Sequence, residues 1–251
     1  MKIVERLSDK FNDRSGCTKP ELVIIHATGG KDFEWAMNVL YDPKREASTH
    51  YIIQEDGTIY RMVDEEKRAW HAGTPSSKWQ GKEDINSLSI GIELSNRHAE
   101  QMEKYSDAQL KALVELCQHF KNKYDLPAKA FVGHSDISPQ RADKVDPNYH
   151  FPWKTMAEHG IGVWPKVTLK DKFNGVAVIK NENKMTNLLE KIGYNSKIFK
   201  DGTVATYKQL ITAFQRHFEP EVFNSKNKKL VGKPTFKTAA KLNSLVRMSG
   251  N

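Results

Sequence analysis

The sequence has 251 residues, of which 38% are apolar and 28% charged, and its formal net charge is +8. This ordinary globular composition excludes disordered, collagen-like and low-complexity chains. No apolar run approaches the roughly 20 residues that a transmembrane helix needs. We therefore expect a folded chain of one or two domains with no transmembrane segment.

The charge is distributed unevenly along the chain. Residues 1–165 carry a net charge of −3, whereas residues 166–251 carry +11. This asymmetry predicts two units with different partners, one domain over residues 1–165 and another over residues 166–251. A basic unit favours an anionic polymer, such as nucleic acid, an anionic membrane surface or a carboxylate-bearing wall. A lysine-rich solvated surface explains the same charge equally well.

The first unit alternates β-rich and helical segments, which predicts an α/β layer fold. In chain order, the predicted elements are a strand over 21–27, a helix over 34–40, a hairpin over 49–63, a strand over 88–94, a helix over 106–124 and a strand over 130–133. The longest helix opens with Ser106 and Gln109, which have the spacing of a capping box.

The second unit contains three amphipathic patterns, which predict a small three-helix domain. Their apolar positions are Met185, Leu188, Leu189 and Ile192 in the first helix, Tyr207, Leu210, Ile211, Phe214 and Phe218 in the second, and Phe236, Ala239, Ala240, Leu245 and Val246 in the third.

Three of the nine histidines lie where they could carry chemistry: His26 at a strand end, His71 in Trp-His-Ala-Gly, and His134 in Gly-His-Ser-Asp. Asp146 follows shortly after them. A catalytic zinc site needs three protein ligands and one open position, which two histidines and one aspartate could supply. The spacing alone is weak evidence for a metal site, because no His-Glu-x-x-His motif is present. The alternative is that these histidines are hydrogen-bonded structural residues.

Nucleophilic catalysis is less well supported by the sequence. Ser135 lies in Gly-His-Ser-Asp-Ile, which lacks the final glycine of a nucleophile elbow. Cys117 falls on the apolar face of its helix, and Cys17 has no identifiable base in the sequence. Because the two thiols are 100 residues apart in sequence, we expect them not to form a disulfide.

A series of short motifs follows in order along residues 11–165. They are Phe11-Asn12-Asp13-Arg14, Val23-Ile24-Ile25-His26, Ser48-Thr49-His50-Tyr51, Asp56-Gly57-Thr58-Ile59-Tyr60, Trp70-His71-Ala72-Gly73, Asn86 through Glu93, Gly133 through Pro139, Lys144-Val145-Asp146-Pro147 and Phe151-Pro152-Trp153. Together they resemble the zinc-dependent N-acetylmuramoyl-L-alanine amidases of the amidase-2 family, in particular the AmiD/AmpD subgroup. The resemblance implies the fold of phage T7 lysozyme and peptidoglycan recognition proteins, a mixed central sheet flanked by helices.

Carried over position by position, the resemblance makes His26, His134 and Asp146 the ligands of one zinc ion per chain. Glu93 matches the catalytic glutamate and Lys144 the catalytic lysine. In such a site, zinc-bound water is acidic enough to give hydroxide at neutral pH, the glutamate acts as general base and then acid, and the lysine stabilises the oxyanion.

Two other aspartates compete for the ligand position. They are Asp143 and Asp136, the second of which matches a position that is not a ligand in the family. The step Asp146-Pro147 favours Asp146, because a residue before proline is held extended.

Further residues are expected to line the site. Trp70, His71, Trp79 and Asn86 are expected in a sugar-peptide cleft, where aromatic faces stack on glycan. Core packing remains the alternative for each tryptophan. His50 matches a histidine that is not a ligand, and we expect it to be structural or to orient a ligand.

The implied activity is hydrolysis of the amide bond between (1,6-anhydro-)N-acetylmuramic acid and L-alanine, in cell-wall degradation or recycling. The implied partners are peptidoglycan or muropeptides and not nucleic acid, and we expect a monomer. The helix with Leu210 to Phe218 resembles the Ala-Phe-Gln-x-His-Phe helix of a peptidoglycan-binding domain, whose role would be tethering.

The compartment and two rival functions stay open. Without a signal peptide at its amino terminus, the chain is expected in the bacterial cytoplasm, with the periplasm, the envelope or export as alternatives. A zinc-free recognition protein of the same fold is the first rival to an enzyme. A protein that binds nucleic acid through its basic tail is the second, and it predicts a steeply salt-dependent affinity.

Overall fold

The computed structural model describes residues 2–73, 75–96, 104–141, 143–224 and 226–250. They form two compact units. The first unit consists of Met1–Thr74, Asp84–His134 and Asp146–Gly162, and the second of Pro75–Glu83, Ser135–Val145 and Val163–Asn251. The carboxyl-terminal stretch with the basic charge is therefore joined in its unit by two short segments from earlier in the chain.

The first unit is built on a mixed six-stranded sheet, as expected. Its order is β1-β5-β4-β7-β3-β8, and among its pairs only β4 and β5 run antiparallel. A separate antiparallel pair joins β2 and β6. The strands are β1 (Ile3–Glu5), β2 (Asn12–Asp13), β3 (Leu22–Ala27), β4 (Tyr51–Ile53), β5 (Ile59–Arg61), β6 (Lys67–Arg68), β7 (Ser89–Leu94) and β8 (Phe131–Gly133).

The core of this unit lies around the parallel strands. All six residues of β3 are buried, which is typical of a parallel strand covered on both faces and explains its continuous apolar run. Five α-helices lie before residue 163 in the described chain: α1 (Phe33–Tyr41), α2 (Ile85–Leu88), α3 (Asp107–Tyr124), α4 (His134–Ile137) and α5 (Trp153–Glu158). The α/β fold class predicted from the alternation is confirmed.

Helix α3 shows how tertiary contacts change a local prediction. Its cap is the expected one, since the Ser106 hydroxyl accepts from the backbone N–H of Gln109. The Gln109 side chain, however, does not return to the cap. It is buried and donates to the backbone carbonyls of Ile53 and Ser95, at 2.9 and 3.0 Å. Instead of completing a capping box, Gln109 therefore links helix α3 to the carboxyl ends of β4 and β7.

The carboxyl-terminal part of the second unit contains the three predicted helices and one more. They are α6 (Leu169–Val178), α7 (Glu182–Ile192), α8 (Tyr207–Phe218) and α9 (Phe236–Met248). Helix α6 was missed because its apolar residues face outwards: Leu169 and Phe173 are 72% and 75% exposed. It packs through Gly175 instead, where an added Cβ would lie 3.0 Å from the Ala240 nitrogen. No helix of the described chain is long and apolar enough to cross a membrane.

The second unit also buries a carboxylate. The Tyr194 hydroxyl donates to Asp136 Oδ1 at 2.6 Å, and His217 Nδ1 lies 2.7 Å from Asp136 Oδ2. All three side chains are less than 5% exposed, and we call them the Asp136 cluster. Gln215 of the same helix donates to the Lys233 carbonyl at 2.8 Å. The Gln-x-His part of the α8 motif thus points into its own unit.

Candidate metal centre

Three side chains of the first unit bring their ligand atoms together. His26 Nδ1 lies 3.0 Å from His134 Nδ1, and Asp146 Oδ2 lies 3.1 Å from each of these nitrogens. The residues are 1%, 3% and 5% exposed, and we call them the His26 cluster. It is the group of potential metal ligands found among the residues that the structure describes.

The sheet explains why two of these residues meet. Strand β3 lies between β7 and β8, and all three run parallel. Gly133 of β8 pairs with Ile25, so the next residue, His134, leaves the sheet level with His26 at the end of β3. Glu93 of β7 is the direct register partner of His26 on the other side. The carboxyl ends of parallel strands are where α/β folds place their ligand sites.

The donor set of the His26 cluster fits a zinc ion. Two imidazole nitrogens and a carboxylate oxygen are zinc ligands, and donor atoms bound about 2.0–2.1 Å from one tetrahedral ion lie about 3.4 Å apart. The observed separations of 3.0–3.1 Å are close to this spacing. Burial by itself would raise the pKa of Asp146, but His134, the largest of the opposing influences, helps to hold that pKa well below its usual range. The carboxylate is therefore ionised, as a ligand must be.

The two rival aspartates are engaged elsewhere. Asp143 forms an ion pair with Arg141 at 2.9 Å and its side chain is 62% exposed. Asp136 receives one donor on each of its carboxylate oxygens within the Asp136 cluster.

His71 lies directly behind His26. Its Nδ1 is 3.0 Å from His26 Nε2, and its Nε2 is 3.3 Å from the Ser89 hydroxyl. The ring rests on Gly91 of β7, where an added Cβ would come within 2.4 Å of the imidazole. The Asn86 Oδ1 accepts from the backbone N–H groups of His71 and Ala72, at 3.0 and 2.7 Å. Asn86 therefore fixes the turn that carries His71.

His50 is fully buried beside His71, with the two ring centroids 5.5 Å apart. Its Nδ1 accepts from the Gly91 N–H at 3.0 Å, and its Nε2 lies 2.9 Å from the Lys67 carbonyl. Burial, with a smaller contribution from the Arg14 charge, lowers the pKa of His50 to about 3. A neutral His50 with both nitrogens hydrogen-bonded links β7 to β6.

The remaining predicted site residues are less closely defined by the structure. Lys144 is two residues before Asp146 in sequence; its side chain is 30% exposed and lies 3.7 Å from Asp143. Trp70 is half-buried and its Nε1 donates to Asn12 Oδ1 at 2.6 Å.

Trp79 lies in the second unit and is 5% exposed, packed edge-on against Tyr194 with ring centroids 5.2 Å apart. This is the core packing that was left open for the tryptophans. Substrate contacts by Trp70, His71, Trp79 and Asn86 stay predictions.

Ser89 and Gly91 lie in the motif from Asn86 to Glu93, but no role for them was predicted from the sequence. The available signal was a polar residue and a glycine inside an otherwise apolar buried strand. Neither cysteine forms a disulfide in this structure, and Cys117 is buried.

Comparison with known families gives this geometry a context. The profile of the family described as N-acetylmuramoyl-L-alanine amidase (Amidase_2) matches residues 16–149. The chain belongs to this family. Its expected assignment as an N-acetylmuramoyl-L-alanine amidase, a hydrolase of the amide bond between N-acetylmuramic acid and L-alanine, is thereby confirmed.

Two curated relatives agree with the family. The chain is 33% identical over 220 residues to the N-acetylmuramoyl-L-alanine amidase AmiD of Escherichia coli, covering 81% of this chain and 76% of that protein. It is 42% identical over 106 residues to the 1,6-anhydro-N-acetylmuramyl-L-alanine amidase AmpD of the same organism, covering 42% of this chain. The match spans about half the length of AmpD, 54%.

Two solved structures resemble the whole chain. The complex of AmiD from E. coli with anhydro-N-acetylmuramic acid-L-Ala-D-γ-Glu-L-Lys has a TM-score of 0.77 at 29% identity, covering 94% of this chain and 93% of that one. AmpDh3 from Pseudomonas aeruginosa has a TM-score of 0.75 at 27% identity, covering 98% and 96%. The similarity therefore extends beyond the residues that the family profile matches.

Proposed function

We propose that this amidase works with one zinc ion held by His26, His134 and Asp146, and that it cleaves soluble muropeptides as well as intact muramyl peptides. The observation that carries the proposal is the convergence of three ligand atoms within 3.1 Å, with Glu93 as the register partner of one ligand. A bound zinc ion supplies Lewis acidity, which polarises the scissile carbonyl and acidifies a water molecule.

Glu93 is the proposed proton carrier. It takes a proton from the attacking water as the water oxygen bonds to the carbonyl carbon, and it delivers that proton to the nitrogen of L-alanine as the amide bond breaks. The half-buried position of Glu93, beside His26 in the sheet register, supports this role. General acid–base catalysis of this kind contributes about 10²–10⁴-fold to a rate.

Lys144 is the proposed stabiliser of the negative charge that develops on the carbonyl oxygen. Its ammonium group can donate hydrogen bonds to that oxygen. Support comes from its place in the Lys-Val-Asp-Pro motif, which ties it through two peptide units to Asp146.

The proposed substrates follow from the relatives. AmpD is named as an amidase of 1,6-anhydro-N-acetylmuramyl-L-alanine, and the AmiD structure holds an anhydro-muropeptide. AmiD is named as an amidase of N-acetylmuramoyl-L-alanine, without restriction to the 1,6-anhydro form. Because this relative matches 81% of the chain, we propose that an intact muramyl peptide is also accepted.

The proposal is tested by mass spectrometry of two defined substrates, an anhydro-muropeptide and its intact counterpart, after incubation with the chain. We expect release of the stem peptide with L-alanine at its amino terminus, loss of release with a chelator, and recovery with zinc. Zinc-loaded protein that binds muropeptide without cleaving it would support the recognition-protein rival. Retention of full activity in the chelator would exclude the zinc proposal.

We also propose that the basic carboxyl-terminal part tethers the enzyme to its polymer. Its support is the net charge of +11 over residues 166–251. Because the Gln215 and His217 side chains of the α8 motif are buried, the contact would fall to exposed lysines such as Lys237. Cosedimentation with insoluble peptidoglycan at rising salt tests this: binding should weaken as ions screen the lysines. A parallel titration with duplex DNA decides the nucleic-acid alternative.

A further inference from the structure

We infer that His71 and Ser89 are positioning residues that set the tautomer of His26, so that the Nδ1 atom of His26 carries a lone pair toward the metal centre. This inference rests on the proposed function, since it takes His26 as a metal ligand. It concerns the step before metal binding: which ring nitrogen of His26 holds the proton in the metal-free protein.

The direction of the hydrogen bonds between His26, His71 and Ser89 is set by Ser89, the residue of the series that is farthest from the metal centre. The Ser89 hydroxyl lies 2.5 Å from the backbone carbonyl of Ile85, which can only accept. The single hydroxyl hydrogen of Ser89 is therefore committed to Ile85. Toward His71, 3.3 Å away, the Ser89 oxygen can only accept. His71 must then carry its proton on Nε2.

The same reasoning passes from His71 to His26. With Nε2 protonated, a neutral His71 has its lone pair on Nδ1, which faces His26 Nε2 at 3.0 Å. His26 Nε2 is then the donor, so that in the neutral ring the lone pair lies on Nδ1. That atom lies 3.0 Å from His134 Nδ1 and 3.1 Å from Asp146 Oδ2, and the series therefore acts against a proton on Nδ1 that Asp146 would otherwise accept.

The surroundings hold this series of bonds in place. Gly91 lies under the His71 ring, where any Cβ would displace the imidazole. The Asn86 Oδ1 accepts from the His71 backbone N–H at 3.0 Å. His134, by contrast, has a buried Nε2 without a hydrogen-bond partner in the described part of the chain. Of the two histidines in the cluster, His26 is thus the one whose ring is oriented by a series of protein hydrogen bonds.

The consequence is a contribution to metal affinity. Partners that orient a ligating histidine and fix its tautomer commonly change metal affinity by about 10–100-fold when they are mutated. A His26 ring with its proton on Nδ1 would first have to exchange that proton before it could bind zinc.

Two measurements test the inference. Long-range ¹H–¹⁵N NMR of metal-free wild-type protein should show His26 with its proton on Nε2. Zinc affinity, measured by competition with a chromophoric chelator, should fall about 10–100-fold in His71→Leu and about 3–10-fold in Ser89→Ala. His71→Asn places an amide oxygen near the former Nδ1 position and should recover most of the affinity.

Ser95→Ala is the matched control. Ser95 is also fully buried on the same chain segment, but its hydroxyl bonds to Glu55 at 2.7 Å. The zinc affinity of Ser95→Ala should stay within about twofold of that of wild type. A metal-free His26 protonated on Nδ1, or equal losses in Ser89→Ala and Ser95→Ala, would overturn the inference.

The proposed function can fail separately. If zinc-loaded wild type cleaves neither muropeptide, the amidase mechanism is wrong, while the NMR measurement on the metal-free protein still decides the tautomer. If cleavage is normal and the zinc affinity of folded His71→Leu matches wild type, only the role of His71 is overturned.

Discussion

Two buried groups in this protein combine histidine with aspartate, and they are built for different purposes. In the His26 cluster of the first unit, two imidazole nitrogens and one carboxylate oxygen face one another at 3.0–3.1 Å. In the Asp136 cluster of the second unit, each carboxylate oxygen meets one donor, the Tyr194 hydroxyl or the His217 Nδ1, at 2.6 and 2.7 Å. In the first group three possible ligand atoms converge on one point, whereas in the second each carboxylate oxygen is paired with a donor of its own.

This difference shows that residue type alone does not identify a metal site. Asp136 and His134 belong to the same four-residue motif, and both are buried. A buried carboxylate that receives a donor on each oxygen is satisfied without a cation. In the His26 cluster, by contrast, two imidazole nitrogens and one carboxylate oxygen lie within 3.1 Å of one another, so that one ion could bond to all three. The convergence of three ligand atoms on one point therefore separates the candidate metal centre from a structural cluster.

The largest expected effect is the loss of a ligand from the His26 cluster. Asp146→Ala should bind no zinc when one equivalent per chain is added, since two histidines alone bind the ion too weakly. Muropeptide turnover should fall at least about 10³-fold. Native mass spectrometry and a cleavage assay measure both. Asp143→Ala removes the exposed rival carboxylate and should keep one zinc per chain. Equal zinc loss in the two variants would contradict the ligand assignment.

Glu93→Gln tests proton transfer separately from metal binding, because Glu93 is the register partner of the ligand His26 but is not itself a proposed ligand. We expect kcat to fall about 10²–10⁴-fold, because an amide cannot carry the proton, while one zinc per chain is retained. Zinc content measured beside the kinetics serves as the internal control. A kcat within threefold of wild type would remove Glu93 from the mechanism.

Variants of His217 and Tyr194 test how much the Asp136 cluster stabilises the second unit. His217→Leu should lower the free energy of unfolding by about 3 kcal/mol, because it leaves a buried carboxylate oxygen without its donor. Tyr194→Phe removes one hydrogen bond and should cost about 1–2 kcal/mol. Urea unfolding measures both.

Tyr207→Phe is the control for this series. The Tyr207 hydroxyl is buried and has no hydrogen-bond partner within the described ranges, so its loss should change stability by less than about 0.5 kcal/mol. A Tyr194→Phe cost no larger than that of Tyr207→Phe would show that the Asp136 cluster does not stabilise its unit.

The smallest expected effect is a pH dependence within the second unit. A hydrogen-bonded ion pair with Arg247 lowers the pKa of Asp171 from 3.8 to about 2. A lowered aspartate pKa stabilises the folded state above pH 4, and this contribution is lost as the pH falls from 4 to 2. Since the Arg247 side chain is 43% exposed, we expect only about 1 kcal/mol.

Urea titrations of wild type and Arg247→Met at pH 6 and pH 2.5 measure that contribution. The difference in stability between the two proteins should shrink at the lower pH. A difference that is equal at both pH values would show that the pair contributes nothing through ionisation.

Much of the fold could be predicted because its main elements carry a clear period. The buried run of β3 and the apolar face of α3 are examples, and both lie within about one residue of their predicted bounds. Helix α6 could not be predicted, because it packs through Gly175 and leaves its apolar side chains outside. Nor could the sequence place residues 135–145, whose Ile137 carbonyl accepts from Lys78 in the second unit.

The candidate site was predicted only in part from the residues themselves. His26, His134 and Asp146 are distant in sequence, so spacing suggested a metal without fixing the ligands, and the resemblance of the motifs was needed to choose them. The positions of His71 and Ser89 depend on side-chain packing over Gly91. No periodicity reports such a contact, because it joins a turn to a strand.

Anomalous diffraction on crystals of the zinc-loaded chain, collected on both sides of the zinc absorption edge, compares the two clusters directly. We expect one peak per chain, bonded to His26 Nδ1, His134 Nδ1 and Asp146 Oδ2, and no peak at Asp136. A peak at the Asp136 cluster, or none bonded to the three atoms of the His26 cluster, would contradict the assignment of the metal centre.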